Sequence, residues 1–200
     1  MFMLSLMQPS GLYEEEHSEL EAVSGQLLQL IRMKSYDLYT HSLRVANLAV
    51  STAAKLGLPT NEVEQIRHAA LLHDVGLITL PYTTLQKVPY LNRQEKSRYH
   101  QHPANGANMI ENIPCCQGIL PYIRYHHERW DGSGYPKHLV GPNIPLGARI
   151  IGIAEYYDNA INPSTEMWTK TKRTATQELF SGSGIYFDPD IVKAFIAILG

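Results

Sequence analysis

The sequence predicts an all-α domain, a bundle of roughly nine helices. Apolar residues recur at steps of three and four along much of the chain, which is the spacing of one helix face. No stretch alternates apolar and polar residues in the way that a half-buried strand does. Prolines, glycines and capping residues divide the chain into segments of helical length. These observations together favour helices packed on helices.

The composition is that of a globular domain. Of the 200 residues, 44% are hydrophobic, which supports a sizeable core in one domain with a short extension. The net charge of -2 provides no basic surface for a nucleic acid polymer. No apolar run approaches the roughly 20 residues that a membrane span requires. The adjacent Cys115 and Cys116 do not indicate an oxidising compartment. We therefore expect a cytoplasmic protein without membrane partners.

The first three helices follow an N-terminal extension, residues 1–17, in which Pro9 to Gly11 predict a break. The predicted domain, residues 18–200, begins with a helix from Ser18 to about residue 34. The second helix, about 36–56, places His41 within its apolar stripe. The third begins at Thr60 and ends on an adjacent histidine and aspartate, where Gly76 can take the left-handed conformation that terminates helices.

The second half of the chain alternates shorter helices with loops. Residues 78–91 and 137–144 are rich in prolines and polar residues and are predicted to be loops. A glycine-rich turn is predicted at 130–136 and a polar linker at 161–170. Further helices are predicted at about 92–99, 102–113, 117–129, 145–160, 171–181 and 189–199.

Histidines and carboxylates lie at the ends or on the apolar faces of these helices. An unpaired buried charge is costly, so each such group needs a partner. A metal ion is one partner; a hydrogen-bonded core histidine, a helix cap, a surface pair and a solvated charge are the alternatives. The remaining histidines, His68 and His100 among them, are assigned structural or surface roles. The candidate set is Asp37, His41, His73, Asp74, His102, His126, His127 and Glu155.

The size of this set indicates more than one metal ion. Imidazole and carboxylate donors together suit iron, manganese, zinc or nickel. Five histidines and three carboxylates exceed the ligands of one ion and suit two ions, or three, bridged by a carboxylate. Asp74, which is flanked by ligands, is the natural bridge. Two ions about 3.5–4 Å apart activate a water molecule and hold phosphoryl oxygens for in-line displacement.

Seven segments of the chain resemble the HD-GYP domain, the bacterial branch of the HD superfamily of metal-dependent phosphohydrolases. The similarity covers residues 20–199, nearly the whole chain. The most specific segment ends in Gly134, Tyr135 and Pro136, the motif loop. The matching segments are His41 to Val45, His73 to Gly76, His102 to Gly106, His126 to Pro136, Ala148 to Ile150, Ala154 to Asp158 and Phe187 to Phe195.

The resemblance implies an HD-domain helical bundle that hydrolyses cyclic di-GMP to pGpG or GMP at a centre of two or three divalent metal ions. We favour iron or manganese, with His73 and Asp74 at the catalytic core. Glu155 stands where the family usually has aspartate, and Asp37 where members with a third metal usually have glutamate. The implied metal ligands are His41, His73, Asp74, His102, His126 and His127.

Two departures from the family pattern bear on activity. Leu77 replaces the usual lysine after the His-Asp pair, and Asn162-Pro163-Ser164 replaces an Arg-Pro-Tyr segment that helps to hold substrate phosphates. Each lost charge-assisted contact weakens binding by about 1.5–3 kcal/mol. No residue is assigned to substrate binding. Three functions remain open: a cyclic di-GMP phosphodiesterase, a catalytically weak member that senses a ligand or docks a signalling protein through the motif loop, and a phosphohydrolase of another nucleotide.

Overall fold

The computed structural model describes residues 10–88, 90–163 and 169–200, and the predicted all-α class is confirmed. These ranges contain ten α-helices, one of them a single turn, and no strand beyond an isolated bridge. None of the described helices has the length and apolar composition needed to cross a membrane. The helices are α1 (Ser10–Lys34), α2 (Tyr36–Lys55), α3 (Thr60–Leu72), α4 (Tyr82–Leu85), α5 (Arg93–Tyr99), α6 (His102–Ile110), α7 (Leu120–Tyr125), α8 (Leu146–Ile161), α9 (Lys172–Gly182) and α10 (Pro189–Leu199).

Three helices differ in extent from the predictions, since α6 ends at Ile110 instead of about 113 and α1 and α7 also differ; in addition, the predicted loop at 78–91 contains the single turn α4. Helix α1 begins at Ser10 instead of Ser18, because residues 10–34 contain no proline and the run Glu14 to Glu16 favours a helix. Helix α7 is shorter than the predicted 117–129: it starts at Leu120, because the residue before a proline is biased away from the helical conformation, and it ends at Tyr125. Residues 1–9 of the predicted extension lie outside the described residues. The division into 1–17 and 18–200, like the cytoplasmic location, stays a prediction.

The centre of the bundle is α2, which packs against α3 and α8. Small buried residues on α2, among them Ala46, Ala49 and Ala53, allow its neighbours to approach closely. Large aliphatic side chains of the partner helices, such as Ile66 and Ile151, fill the space between them. This packing brings together the start of α2, the end of α3 and the middle of α8, which are the parts that carry the predicted site residues.

The segment after α3 is a 3-10 helix, Val75–Thr79, that packs directly on α6. A Cβ atom on Gly76 would lie 2.1 Å from the carbonyl oxygen of His102 and 2.7 Å from the backbone nitrogen of Gly106. The expected left-handed conformation at Gly76 is wrong, since this glycine is not among those with positive φ. Glycine is required here because two backbones meet, and their contact fixes Asp74 relative to His102.

A polar network joins α1 to α3. The buried His68 donates from Nδ1 to Ser24 Oγ at 2.9 Å, and its Nε2 accepts from the Arg67 guanidinium at 2.9 Å. Arg67 also pairs with Glu64 and Glu21. Burial, together with the neighbouring Arg67 charge, lowers the pKa of His68 to about 4. His68 is therefore a neutral, hydrogen-bonded core histidine, as the sequence predicted.

Candidate metal centre

The structure brings together seven of the eight predicted site residues. Six of them form two groups, and within each group one donor atom per residue lies within 4.8 Å of the others. The His41 group is His41, His73 and Glu155, and the His102 group is His102, His126 and His127. Asp37 is exposed at the rim of the adjoining cleft and belongs to neither group. Its role as a ligand of a third metal stays a prediction.

The carboxylate of Asp74 lies between the two groups. Its Oδ1 is 3.1 Å from His102 Nε2, while its Oδ2 is 3.5 Å from His73 Nε2 and 3.9 Å from His41 Nε2. One oxygen therefore faces each group, which is the arrangement of a bridging carboxylate. Glu155 provides a second link, because its Oε2 lies 3.9 Å from His126 Nε2 and 3.7 Å from His127 Nδ1.

Three of the imidazoles are oriented by carbonyl groups at helix ends. In each case Nδ1 contacts the carbonyl oxygen three residues earlier, which belongs to a residue in the last turn of a helix. A carbonyl oxygen only accepts, so Nδ1 carries the hydrogen and Nε2 of the neutral ring presents a lone pair to the centre. The pairs, each at 2.7 Å, are His73 with Ala70, His102 with Tyr99 and His126 with Ile123.

His41 is oriented by a buried carboxylate on α8. Its Nδ1 contacts Asp158 Oδ2 at 2.7 Å, and Asp158 also accepts from Arg44 Nε at 2.7 Å and from Asn162 Nδ2 at 2.9 Å. Burial alone would raise the pKa of Asp158, but the hydrogen bonds from His41 and Arg44 lower it to about 2. Sequence reasoning gave Asp158 no role. Its position one helical turn after Glu155, on the same helix face, could have indicated that it lies near the site.

Several buried nitrogen and oxygen atoms of the centre have no hydrogen-bond partner among the described residues. They include His73 Nε2, Asp74 Oδ1 and His127 Nε2. In addition, His102 Nε2 and His126 Nε2 lie 3.3 Å apart, although each ring carries its hydrogen on Nδ1. Facing lone pairs repel unless a cation lies between them, and buried unpaired polar atoms are costly. The residues present therefore fit divalent metal ions.

Burial also sets the protonation of the centre. It lowers the pKa of His73 to about 4 and holds those of His126 and His127 well below the ordinary value. Burial would raise the pKa of Asp74, but His73 and His102 outweigh it and keep this carboxyl ionised. Burial and the Asp74 charge raise the pKa of Glu155 well above its ordinary value. His73, His126 and His127 are thus held as neutral imidazoles, which is the form that binds metals.

A cleft of about 940 Å³ opens onto His41, Asp74 and Glu155. Leu77, Asn162 and Pro163 line it, whereas Ser164 lies outside the described residues. Among the described residues of the lining, Arg44 is the one Lys or Arg side chain, and it is held by Asp158. Lys170, another candidate cation, pairs with Glu178 at 2.7 Å. The cleft therefore offers no free cationic side chain in the part that the structure describes.

The motif loop faces inward. Gly134 is buried, and Tyr135 and Pro136 are half-buried. The loop lies on the backbone of residues 127–129, because a Cβ on Gly134 would meet Glu128 Cα at 2.5 Å and Arg129 N at 2.3 Å. This inward orientation differs from the exposed surface that the sequence analysis considered for partner docking. The docking role itself stays a prediction.

Comparison with known proteins identifies the family to which the chain belongs. The family model described as HD domain matches residues 25–191, and the chain belongs to this family. The predicted resemblance to the HD-GYP branch is confirmed. A cyclic di-GMP phosphodiesterase of Pseudomonas aeruginosa is 32% identical over 96% of this chain and 47% of its own length. The cyclic di-GMP phosphodiesterase response regulator RpfG of Xanthomonas campestris pv. campestris is 35% identical over 94% and 50%. The chain thus spans about half the length of the curated relatives it matches.

A solved structure supports the fold. The HDG"Y"P protein Bd1817 from Bdellovibrio bacteriovorus superposes with a TM-score of 0.67 at 23% sequence identity. The match covers 80% of this chain and 51% of that one. At this level of identity the likeness establishes the arrangement of helices alone.

Proposed function

We propose that the chain is a metal-dependent phosphodiesterase that hydrolyses cyclic di-GMP to pGpG or GMP. The observation that carries the proposal is the pair of ligand groups joined by the Asp74 carboxylate. This arrangement suits two ions that share one phosphoryl group. The activity named for the curated relatives supports cyclic di-GMP as the substrate.

We infer two divalent ions, one for each ligand group, with iron or manganese favoured and Asp37 available to a third. When bound, the pair would lower the pKa of an attacking water and stabilise charge that develops on the phosphoryl oxygens. His73 and Asp74 form the core of this arrangement. Asp158 fixes the His41 ring through its hydrogen bond at Nδ1, so that Nε2 would be the atom that binds an ion.

The cleft provides the substrate site. Its volume of about 940 Å³ is within the range of small-molecule sites. Tyr99 lines it, and burial together with the charges of Asp74 and Glu155 raises the pKa of its phenol well above the ordinary value. The phenol therefore stays protonated and is available to donate a hydrogen bond to an anionic substrate.

A catalytically weak, ligand-sensing member of the family is the second candidate. One observation favours it: the described lining of the cleft contains no unpaired cation, with Leu77 in place of the usual lysine. In that case the site would bind the dinucleotide without rapid turnover, and a partner protein would recognise the bound state.

The test combines metal analysis with hydrolysis of cyclic di-GMP by the full chain loaded with Mn²⁺ or Fe²⁺. We expect two ions per chain and formation of pGpG or GMP. In His73→Ala and Asp74→Ala, the metal affinity and the rate of hydrolysis should each fall at least about 100-fold. His138→Asn is the matched control, since His138 is exposed and has a positive φ that asparagine tolerates. Bound metal with tight dinucleotide binding but no product would favour the second candidate. A chain that binds no metal would refute both.

A further inference from the structure

The ring of Tyr135 in the motif loop lies between two imidazoles. It stacks on His127 with centroids 4.8 Å apart and an interplanar angle of 27°, and on His100 at 4.4 Å and 10°. The order of the three rings is His100, Tyr135, His127. The sequence analysis gave His100 a structural or surface role, yet it is the outer member of a stack that ends on a predicted metal ligand.

The backbone of the motif loop is attached to the same segment. Tyr135 N donates to the carbonyl oxygen of His127 at 3.2 Å. The buried Glu128 carboxylate accepts from the backbone nitrogens of Lys137 at 2.6 Å and Leu139 at 3.0 Å. These bonds hold the loop at Tyr135 and at the residues just after it, so the position of its ring is fixed relative to residue 127.

His127 differs from the other four imidazoles in how its ring is held. His41 is oriented by Asp158, and three others by carbonyl groups, each through a hydrogen bond at Nδ1. His127 Nε2 has no hydrogen-bond partner, and its Nδ1 lies 3.7 Å from Glu155, beyond hydrogen-bond distance. Metal-binding histidines almost always have such an orienting partner. The ring contact that His127 receives from outside the ligand groups is Tyr135.

We propose that Tyr135, supported by His100, is a positioning residue for His127. The stack takes the place of the hydrogen bond that orients the other imidazoles, and so it completes the His102 group. The inference rests on the proposed metal centre but concerns one of its two ion sites. It gives the motif loop a function inside this chain, in contrast to a role as a docking surface.

The test measures Mn²⁺ binding by the full chain with calorimetry and electron paramagnetic resonance. Tyr135→Leu removes the ring but keeps much of the bulk, and Tyr135→Phe keeps the ring without the hydroxyl. We expect Tyr135→Leu to weaken one of the two ions about 10–100-fold and to convert the spectrum of a coupled Mn²⁺ pair into that of a single ion. Tyr135→Phe should bind both ions as the wild type does.

His100→Leu probes the same stack from its more accessible outer side, where a folding defect is less of a concern. We expect a smaller weakening of the same ion and none of the other. In a His127→Ala background, Tyr135→Leu should cause no further loss, because the ring it positions is gone.

Equal binding of both ions by the wild type and Tyr135→Leu would overturn the inference, as would equal losses in Tyr135→Leu and Tyr135→Phe. Neither result would affect the proposed function. A wild-type chain that binds no Mn²⁺ would instead refute the proposed function. Unfolding curves of the metal-free variants, measured in urea, separate a general loss of stability from a selective loss of one ion.

Discussion

Replacement of Gly76 by alanine tests how the bridging carboxylate is held in place. A Cβ at this position would lie 2.1 Å from the His102 carbonyl oxygen, whereas ordinary contact begins at 3.4 Å. This oxygen and the Gly106 nitrogen, which a Cβ would meet at 2.7 Å, are backbone atoms, so no side-chain rotation relieves the clash. The 3-10 helix and α6 must therefore separate by about 1 Å. The distance of 3.1 Å from Asp74 Oδ1 to His102 Nε2 then opens to about 4 Å, whereas donors bound at about 2.1 Å to one ion lie roughly 3 Å apart.

We expect Gly76→Ala to lower the free energy of unfolding of the metal-free chain by about 1–3 kcal/mol, the usual effect of overpacking. Urea unfolding measures this change. Calorimetry should show Mn²⁺ binding weakened by about tenfold or more, since the bridge no longer reaches both groups.

Gly25→Ala is the matched control for this substitution. Gly25 is exposed within α1, and a Cβ there would meet nothing within 4 Å. It should raise the stability by about 0.5–1 kcal/mol through its higher helix propensity and leave Mn²⁺ binding unchanged. If Gly76→Ala behaved like Gly25→Ala in both measurements, the packing of Gly76 on α6 would not be what places Asp74.

Three further outcomes are expected. Asp158→Asn should weaken one Mn²⁺ ion about 10–100-fold in calorimetry, because the His41 ring loses its charged partner; unchanged affinity would contradict this role. His68→Gln should reduce the acid sensitivity of the metal-free chain. The pKa of His68 is about 4 in the folded chain and about 6.5 when unfolded, so its contribution is fully present above pH 6.5 and declines as the pH falls towards 4. Between pH 7 and pH 5 the wild type should lose about 2 kcal/mol more than the variant in urea unfolding, and parallel losses would refute this assignment. Finally, Mn²⁺ at about 100 times its dissociation constant should raise the stability by about 2.7 kcal/mol per site. That gain should be much smaller in Asp74→Ala, and a variant stabilised as strongly as the wild type would argue against a bridge.

Much of the fold and the site was predictable because the signals are local. Helical periodicity predicted the apolar stripes of the helices. The histidines on these stripes or at helix ends, such as His41 and His73, were the candidate site residues, and the structure brings them together. The helix predicted at about 92–99 is α5, where Asn92 is the N-cap and Glu95 completes a capping box. Each of these signals lies within a few residues of sequence, where spacing on a helix determines which side chains share a face.

The parts that could not be predicted depend on contacts between distant segments. His41 and Asp158 are 117 positions apart, and only the packing of α2 on α8 brings them together. The stack of His100 on Tyr135 likewise joins a helix end to a loop. Gly76 matched a local rule for helix ends, yet it is required by a contact with α6, whose position the local sequence does not determine.

The way each imidazole is held follows from its place in the local structure. His73 and His126 directly follow α3 and α7, and His102 begins α6 just after α5 ends, so carbonyl groups at helix ends lie within reach of their Nδ1 atoms. His41 lies inside α2, where the carbonyl groups are used by the helix, and it needs a side-chain partner, which Asp158 supplies. His127 follows His126, whose Nδ1 already uses the Ile123 carbonyl oxygen. The carboxylate oxygen of Glu155 lies 3.7 Å from His127 Nδ1, beyond hydrogen-bond distance. The motif loop places the ring of Tyr135 against His127, and this stack is the contact that we propose fixes the plane of the imidazole.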